Sequence, residues 1–368
     1  MTHSRFSCLD QLMASNYIDA IVLNPGSTLT YLTGLHFHLM ERPTVLLYKL
    51  GSQPALILPE LEAGKLASST IPLTSFTFGD DPVEWQSVFN RAIDKLRLDQ
   101  ATLGVEPACL RYMEMTFLQN AAPDAKFSSA DAVFGNLRLQ KDKEEITCMR
   151  EAVRIAQDAL RATLPCIKEG VSEKEIASEL IIQMYKAGSS PNLPFAPIVA
   201  GGPNSANPHA VPSDRKFERG DLVVIDWGAG CNDYCSDLTR TFAIGELSQE
   251  LCSIYQTVQT ANQAGRAMGK PGIKAGEVDI AARTVIDKAG FGEFFTHRTG
   301  HGLGMDSHEP PYIFGSNDLL LTEGMVYTVE PGIYLSGNGG VRIEDDIVVT
   351  LTDSESMSDF PRDLQILG

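Results

Sequence analysis

Two apolar runs in the C-terminal half of the chain each end on an acid, and this limits the available folds more than any other feature. Leu222 to Ile225 lead into Asp226, and Met325 to Val329 lead into Glu330. Runs of that length read as buried strands. A carboxylate at the end of such a strand needs a partner or a cation, because an isolated buried charge is costly. Eleven residues after Asp226 comes Asp237, at the start of what should be the return strand of a hairpin, Ser236 to Thr241. Eleven residues are enough to turn and bring Asp237 opposite Asp226. Fourteen residues after Glu330 comes Glu344, reached through a turn at Gly337 to Gly340 and then Val341, Arg342 and Ile343. Two facing carboxylates repel unless a proton or a metal ion lies between them.

Between the two acid hairpins lies His297 to Gly304, where glycines on both sides of His301 let the backbone approach an ion closely. His297 and His301 have the spacing of neighbours on a helix, but three glycines within five residues oppose one. Gly300, Gly302 and Gly304 lack the preceding strand and the third-glycine spacing of a dinucleotide loop. His297-Arg298 does not match the HExxH helix of zinc proteases either. A single acid at a strand end is usually a cap or a salt-bridge partner; the joint pattern of two acid hairpins around one Gly-His-Gly is what points to chemistry. Four carboxylates and one imidazole suit two divalent ions, Mn or Co foremost and Zn or Fe next, better than one structural zinc. Two such ions hold a bridging hydroxide and polarise a substrate oxygen.

The 368 residues are about right for two domains. The first third alternates short strands with helices: a helix over Leu9 to Ser15, strands at Ile18–Leu23, Thr44–Tyr48, Pro54–Leu58 and Thr102–Val105, and a helix over Trp85–Leu98. That alternation predicts a three-layer α/β domain. His36 and His38 are spaced to share one face of a strand, as surface or interface histidines. Near Asn136 the pattern changes. A long amphipathic helix from Lys143 and a second from the capping box at Ser172 precede a strand-rich block from Leu222. Helices at Gln249–Met268 and Glu277–Ala289 precede another from Met325. This order predicts an α+β domain with a duplicated helix-helix-strand unit, and a boundary near residue 137.

A net charge of −17 disfavours a nucleic-acid partner. No run approaches the ~20 apolar residues of a spanning helix, and the first residues lack the apolar core of a signal peptide, so no membrane partner and a cytoplasmic location are expected. Seven scattered cysteines read as reduced thiols, and the Cys231/Cys235 pair has no second pair to make a zinc knuckle.

The stretches Asn204 to His209, Gly220 to Ala229, Ser236 to Phe242, Gly300 to Gly304, His308 to Pro310, Thr328 to Tyr334 and Val341 to Asp345 resemble the pita-bread metallopeptidase superfamily, specifically its Xaa-Pro branch of aminopeptidase P and prolidase. The resemblance implies a creatinase-like N-terminal α/β domain at 1–137 and a pita-bread catalytic domain at 138–368. It implies five ligands of a dinuclear centre, Asp226, Asp237, His301, Glu330 and Glu344, with Asp237 and Glu344 bridging. Glu330 would also move the proton of the attacking water to the leaving nitrogen. His209 and His308 would steady the tetrahedral intermediate and the scissile carbonyl, His297 and Tyr334 would wall the proline pocket, and Arg342 would hold a metal-bound acid. The implied substrates are small peptides with proline in second position, and the implied assembly is a homodimer.

Two positions depart from the family pattern. Asp233 stands where relatives often carry glycine. Between Glu309 and Val329 there is no Lys or Arg, where many prolidases bind a dipeptide's terminal carboxylate by arginine. Dipeptidase and aminopeptidase P activity therefore both stay open. The alternatives are a creatinase-like or lyase activity on a small non-peptide substrate and a non-catalytic binding module.

Overall fold

The computed structural model describes residues 2–368, with side chains from Arg5 onward. Its chain contacts divide into two compact units, Met1–Arg138 and Leu139–Gly368.

The first unit is built on a six-stranded mixed sheet. Its order is Thr74–Phe78, Ala55–Pro59, Val45–Lys49, Ala20–Leu23, Thr102–Val105, Lys126–Ser129. Val45–Lys49 and Ala55–Pro59 pair antiparallel around a turn at Gly51. Ala20–Leu23 runs parallel to Thr102–Val105, a pairing that requires a crossover. The helix Pro82–Leu96 lies between them in sequence, opened by Asp81, whose side chain accepts the Val83 N–H. Trp85, Phe89 and Ile93 of this helix pack with Val22, Val45, Ile57 and Leu103. The alternate strand residues Ile21, Leu23, Leu46 and Leu56 are buried too, so both sheet faces are covered. His36 and His38 are exposed, as expected, but lie in an irregular segment rather than on a strand.

The second unit repeats one plan. Helices Lys143–Thr163 and Glu173–Lys186 both start at capping boxes, Asp142 with Glu145 and Ser172 with Glu175. They bury Met149, Leu160, Ile176 and Leu180 with Val223, Ile225, Trp227 and Phe242. Those four belong to a four-stranded sheet ordered Ile198–Gly201, Leu222–Trp227, Leu238–Ile244, Ile366–Leu367. The Trp227 indole N–H donates to the Ala156 carbonyl at 2.8 Å, tying sheet to helix. Helices Gln249–Met268 and Ala275–Lys288 then bury Tyr255, Val258, Ala282 and Ile286 with Ile333, Val341 and Ile343. A five-stranded sheet follows, ordered Glu309–Ile313, Gly300–Gly302, Val326–Val329, Asp345–Val349, Ser354–Ser356. The hairpin Gly332–Leu335 with Gly339–Arg342 extends from it.

Candidate metal centre

Asp226 sits one residue before the end of its strand, facing away from its neighbours Ile225 and Trp227, which enter the helix-backed core. The return strand does not pair as the spacing predicts. Thr239 lies opposite Asp226, and Asp237 stands two residues earlier, on the same face and diagonal to it. A small ladder, Gly230–Cys231 with Tyr234–Cys235, takes up the connection and shifts the register. Its tip holds Asn232 and Asp233 at φ +47° and +70°, a conformation Asn and Asp tolerate better than most residues. The Thr239 hydroxyl donates to Glu344 at 2.6 Å, so the residue opposite Asp226 fixes an acid of the other hairpin.

The second acid pair does meet in register. Val329 pairs with Asp345 on one side of the break and Gly332 with Arg342 on the other, so Glu330 and Glu344 face each other where the ladder opens. Glu344 leaves that ladder to donate its N–H to the Thr239 carbonyl, which carries it toward the first acid pair. His301 reaches the cluster from Gly300–Gly302. Its Nδ1 lies 3.1 Å from the Gly302 carbonyl, and its Nε2 lies 3.3 Å from Glu330 and 3.7 Å from Asp237. The flanking glycines are required by crowding. A Cβ on Gly300 would collide with the Thr328 carbonyl oxygen, and one on Gly302 with the Pro310 carbonyl oxygen.

The donor set forms interlocking groups. One ligand atom from each of Asp226, Asp237 and Glu344 lies within 4.8 Å of the others; the same holds for His301, Glu330 and Glu344. Asp237 also groups with His301 and His308. Asp237, Glu344 and His301 each belong to two of these groups. Burial, then the charges of Glu344 and Asp226, push the Asp237 carboxyl well above its ordinary range. Burial, then Glu330 and Asp226, do the same to Glu344. Burial raises Asp226 against the pull of Arg342. Burial also opposes ionisation of Glu330, but the hydrogen bond and charge of His301 outweigh it and hold Glu330 down to about 2. Among the described residues, Asp226 Oδ1 is buried without a hydrogen-bond partner. Four acids that cannot all ionise side by side, with an orphaned oxygen among them, fit divalent cations.

The cluster opens onto a cavity of about 650 Å³ that His209, His297 and His308 also line. The His308 ring meets the His301 ring edge-on at 3.8 Å, and burial, then His301, push its pKa down to about 4. His297 Nε2 lies 2.8 Å from the Tyr334 hydroxyl. Tyr334 itself is buried behind His297 rather than exposed on the cavity wall, because its hydroxyl also accepts from Arg342 at 3.0 Å. Arg342 donates to Asp226 Oδ2 at 2.6 Å and to the Thr239 hydroxyl at 3.1 Å. The sequence reading misses Phe195, Ile198, Arg298 and Ser307, which complete the wall. Phe195 and Ile198 follow a proline-rich loop with no periodic pattern, and Arg298 stands beside more conspicuous histidines. It also misses the buried pair of Lys141 with Glu309, 2.7 Å apart, which secures the residue next to His308.

Residues 5–140 match the creatinase/prolidase N-terminal domain, and residues 147–351 match metallopeptidase family M24. The chain is 36% identical over 357 residues to the Xaa-Pro dipeptidase of Pyrococcus horikoshii, covering 96% of each. It is 35% identical over 357 residues to the Xaa-Pro dipeptidase of Lactobacillus helveticus, covering 97% of this chain and 96% of that one. A prolidase structure from Thermococcus sibiricus superposes with a TM-score of 0.95 at 33% identity, over 100% of this chain and 99% of that one. An X-Pro aminopeptidase structure from Thermotoga maritima gives 0.85 at 32% identity, over 98% and 99%. Both units thus have the folds expected of them, a creatinase-type α/β domain and a pita-bread domain. With its second unit spanned by the family match and its acids gathered on one cavity, the chain belongs to metallopeptidase family M24.

Proposed function

We propose that this protein is a metal-dependent Xaa-Pro exopeptidase, cutting the bond between an N-terminal residue and a following proline. The observation that carries the reading is the convergence of Asp226, Asp237, His301, Glu330 and Glu344 beside a cavity lined by His209, His297 and His308. The relatives named Xaa-Pro dipeptidase, aligned along nearly the whole chain, support it. In this reading 1–137 is the creatinase-like domain and 138–368 the catalytic one. The five residues would hold two divalent ions, manganese foremost and cobalt, zinc or iron next, with Asp237 and Glu344 shared between the two. The enzyme is a cytoplasmic homodimer. The acidic composition and the absence of any helix long and apolar enough to cross a membrane, among the described residues, are compatible with that location.

Bound ions supply Lewis acidity, which polarises the scissile carbonyl and makes water a nucleophile near neutral pH. Glu330 takes the proton from the attacking water and delivers it to the prolyl nitrogen as that nitrogen leaves. His308 and His209 donate hydrogen bonds to the oxygen on which charge develops. His297, braced by Tyr334, forms a wall for the pyrrolidine ring. Arg342 orients Asp226. A prolyl amide has no N–H, so a pocket that selects the ring reaches substrates that backbone-binding proteases miss.

The test strips the purified protein with chelator, reloads manganese, and follows Ala-Pro and Ala-Pro-Ala. Cleavage restored by metal is expected; a faster dipeptide marks a prolidase and a faster tripeptide an aminopeptidase P. No cleavage of either, with bound metal verified by elemental analysis, would turn the reading to a non-peptide substrate of the same pocket.

A further inference from the structure

Glu173 opens the helix Glu173–Lys186 and is fully buried. A carboxylate there is stabilised by the helix N-terminus and by the donors around it. Its donors come from the two ends of the stretch 201–213. The Gly201 N–H donates to Oε1 at 2.8 Å, and the Asn204 amide to Oε1 at 3.0 Å and Oε2 at 3.2 Å. The Ser213 N–H donates to Oε2 at 2.9 Å, and the Ser213 hydroxyl at 2.6 Å. Between those ends lies His209, on the cavity wall. Its backbone N–H donates to Asn207 at 3.1 Å, and among the described residues its ring has no hydrogen-bond partner. The ring therefore stands where the backbone puts it. On the cavity side, Arg342 donates to the neighbouring Pro208 carbonyl at 3.3 Å.

Pro203, Pro208 and Pro212 bring no N–H to this stretch, so it depends on side chains elsewhere for its shape. Hydrogen bonds to an ionised carboxylate are about twice as strong as neutral ones. Glu173 gathers both ends of the stretch on one such group, so the segment between them cannot shift without breaking several of these bonds. Glu173 itself is not among the residues that line the cavity. We propose that Glu173 is a positioning residue, holding His209 in its place on the cavity wall from the far side of the loop. The catalytic half of the proposal rests on the Xaa-Pro reading above, in which His209 donates to the oxygen that gains charge.

The test compares Glu173→Gln and Ser213→Ala, each made in the wild type and in His209→Ala. The manganese-loaded proteins are assayed on Ala-Pro and Ala-Pro-Ala, and their backbone hydrogen exchange is followed by mass spectrometry. Glu173→Gln should speed exchange within 201–213 about tenfold. It should lower kcat about ten- to a hundredfold, as misplacing a catalytic group does. KM and the manganese Kd should stay within about twofold of the wild type, because charge builds on the substrate oxygen only in the transition state. Ser213→Ala keeps the buried carboxylate and the helix start, so it should show the same pattern more weakly, and it carries the comparison if Glu173→Gln does not fold. In the His209→Ala background either change should cost less than about threefold in kcat, since the group it places is already gone. A full loss in that background, unaltered exchange within 201–213, or a weakened manganese affinity overturns the proposal. If the wild type cleaves neither peptide, the Xaa-Pro reading falls, and exchange within 201–213 alone decides whether Glu173 holds the loop.

Discussion

Glu330 and Arg342 show how closely function depends on single side chains here. Glu330 is held ionised beside His301 while Asp226, Asp237 and Glu344 are pushed toward the protonated form, so without metal it carries the charge of the cluster. Glu330→Gln keeps the shape and removes the base; kcat should fall about a hundred- to ten-thousandfold. The thermal unfolding midpoint should stay near that of the wild type, and near-normal turnover would remove Glu330 from its assigned role. Arg342 acts through Asp226. Arg342→Lys keeps one charge but loses the fork that joins Asp226, Tyr334 and Thr239. Metal affinity should drop about ten- to a hundredfold, read by calorimetric titration of manganese into the stripped protein.

Among the elements, the strand Gly300–Gly302 is the most tightly constrained. It is threaded between Glu309–Ile313 and Val326–Val329, and its glycines leave no room for a side chain on the carbonyls beside them. Gly302→Ala should cost about 1–3 kcal/mol in urea unfolding, as overpacking does. It should also weaken metal binding, because His301 moves with its strand; an unaltered manganese affinity would count against that coupling. The neighbouring strand is anchored by Lys141 and Glu309, whose side chains are 1% and 3% exposed. Lys141→Met takes the cation away from a buried carboxylate and should destabilise by about 3–5 kcal/mol, whereas the double replacement Lys141→Met with Glu309→Leu should recover most of it. Equal losses in the single and double variants would mean the pair contributes by packing alone.

Across the second unit, the metal-free protein stores electrostatic repulsion that cations relieve. Asp226, Asp237 and Glu344 have raised folded-state pKa values, so the folded, stripped protein holds protons that the unfolded chain has already lost. Its stability therefore falls as pH rises above the ordinary carboxylate pKa of about 4. Cations bind the deprotonated acids, so the rise in Tm on adding manganese should be larger at pH 8 than at pH 5. Equal rises at the two pH values would sink this account. The framework resists the strain through Asp345, beside Glu344, which accepts hydrogen bonds from Arg240, Arg362, Ser358 and Asn262.

By itself, the sequence determined the elements and the identity of the chemistry. Apolar runs, capping boxes and glycine positions are local signals, and they predict the helices Gln249–Met268 and Glu173–Lys186 and the acids at strand ends within a residue or two. The gathering of Glu330 with Glu344 was also legible, since one hairpin turn decides it. Only the tertiary structure decided what depends on long-range pairing. The ladder at Gly230–Cys235 moved Asp237 diagonal to Asp226, and Arg342 drew Tyr334 behind His297. Register and side-chain partnership are set by segments far apart in the chain, so no local pattern records them.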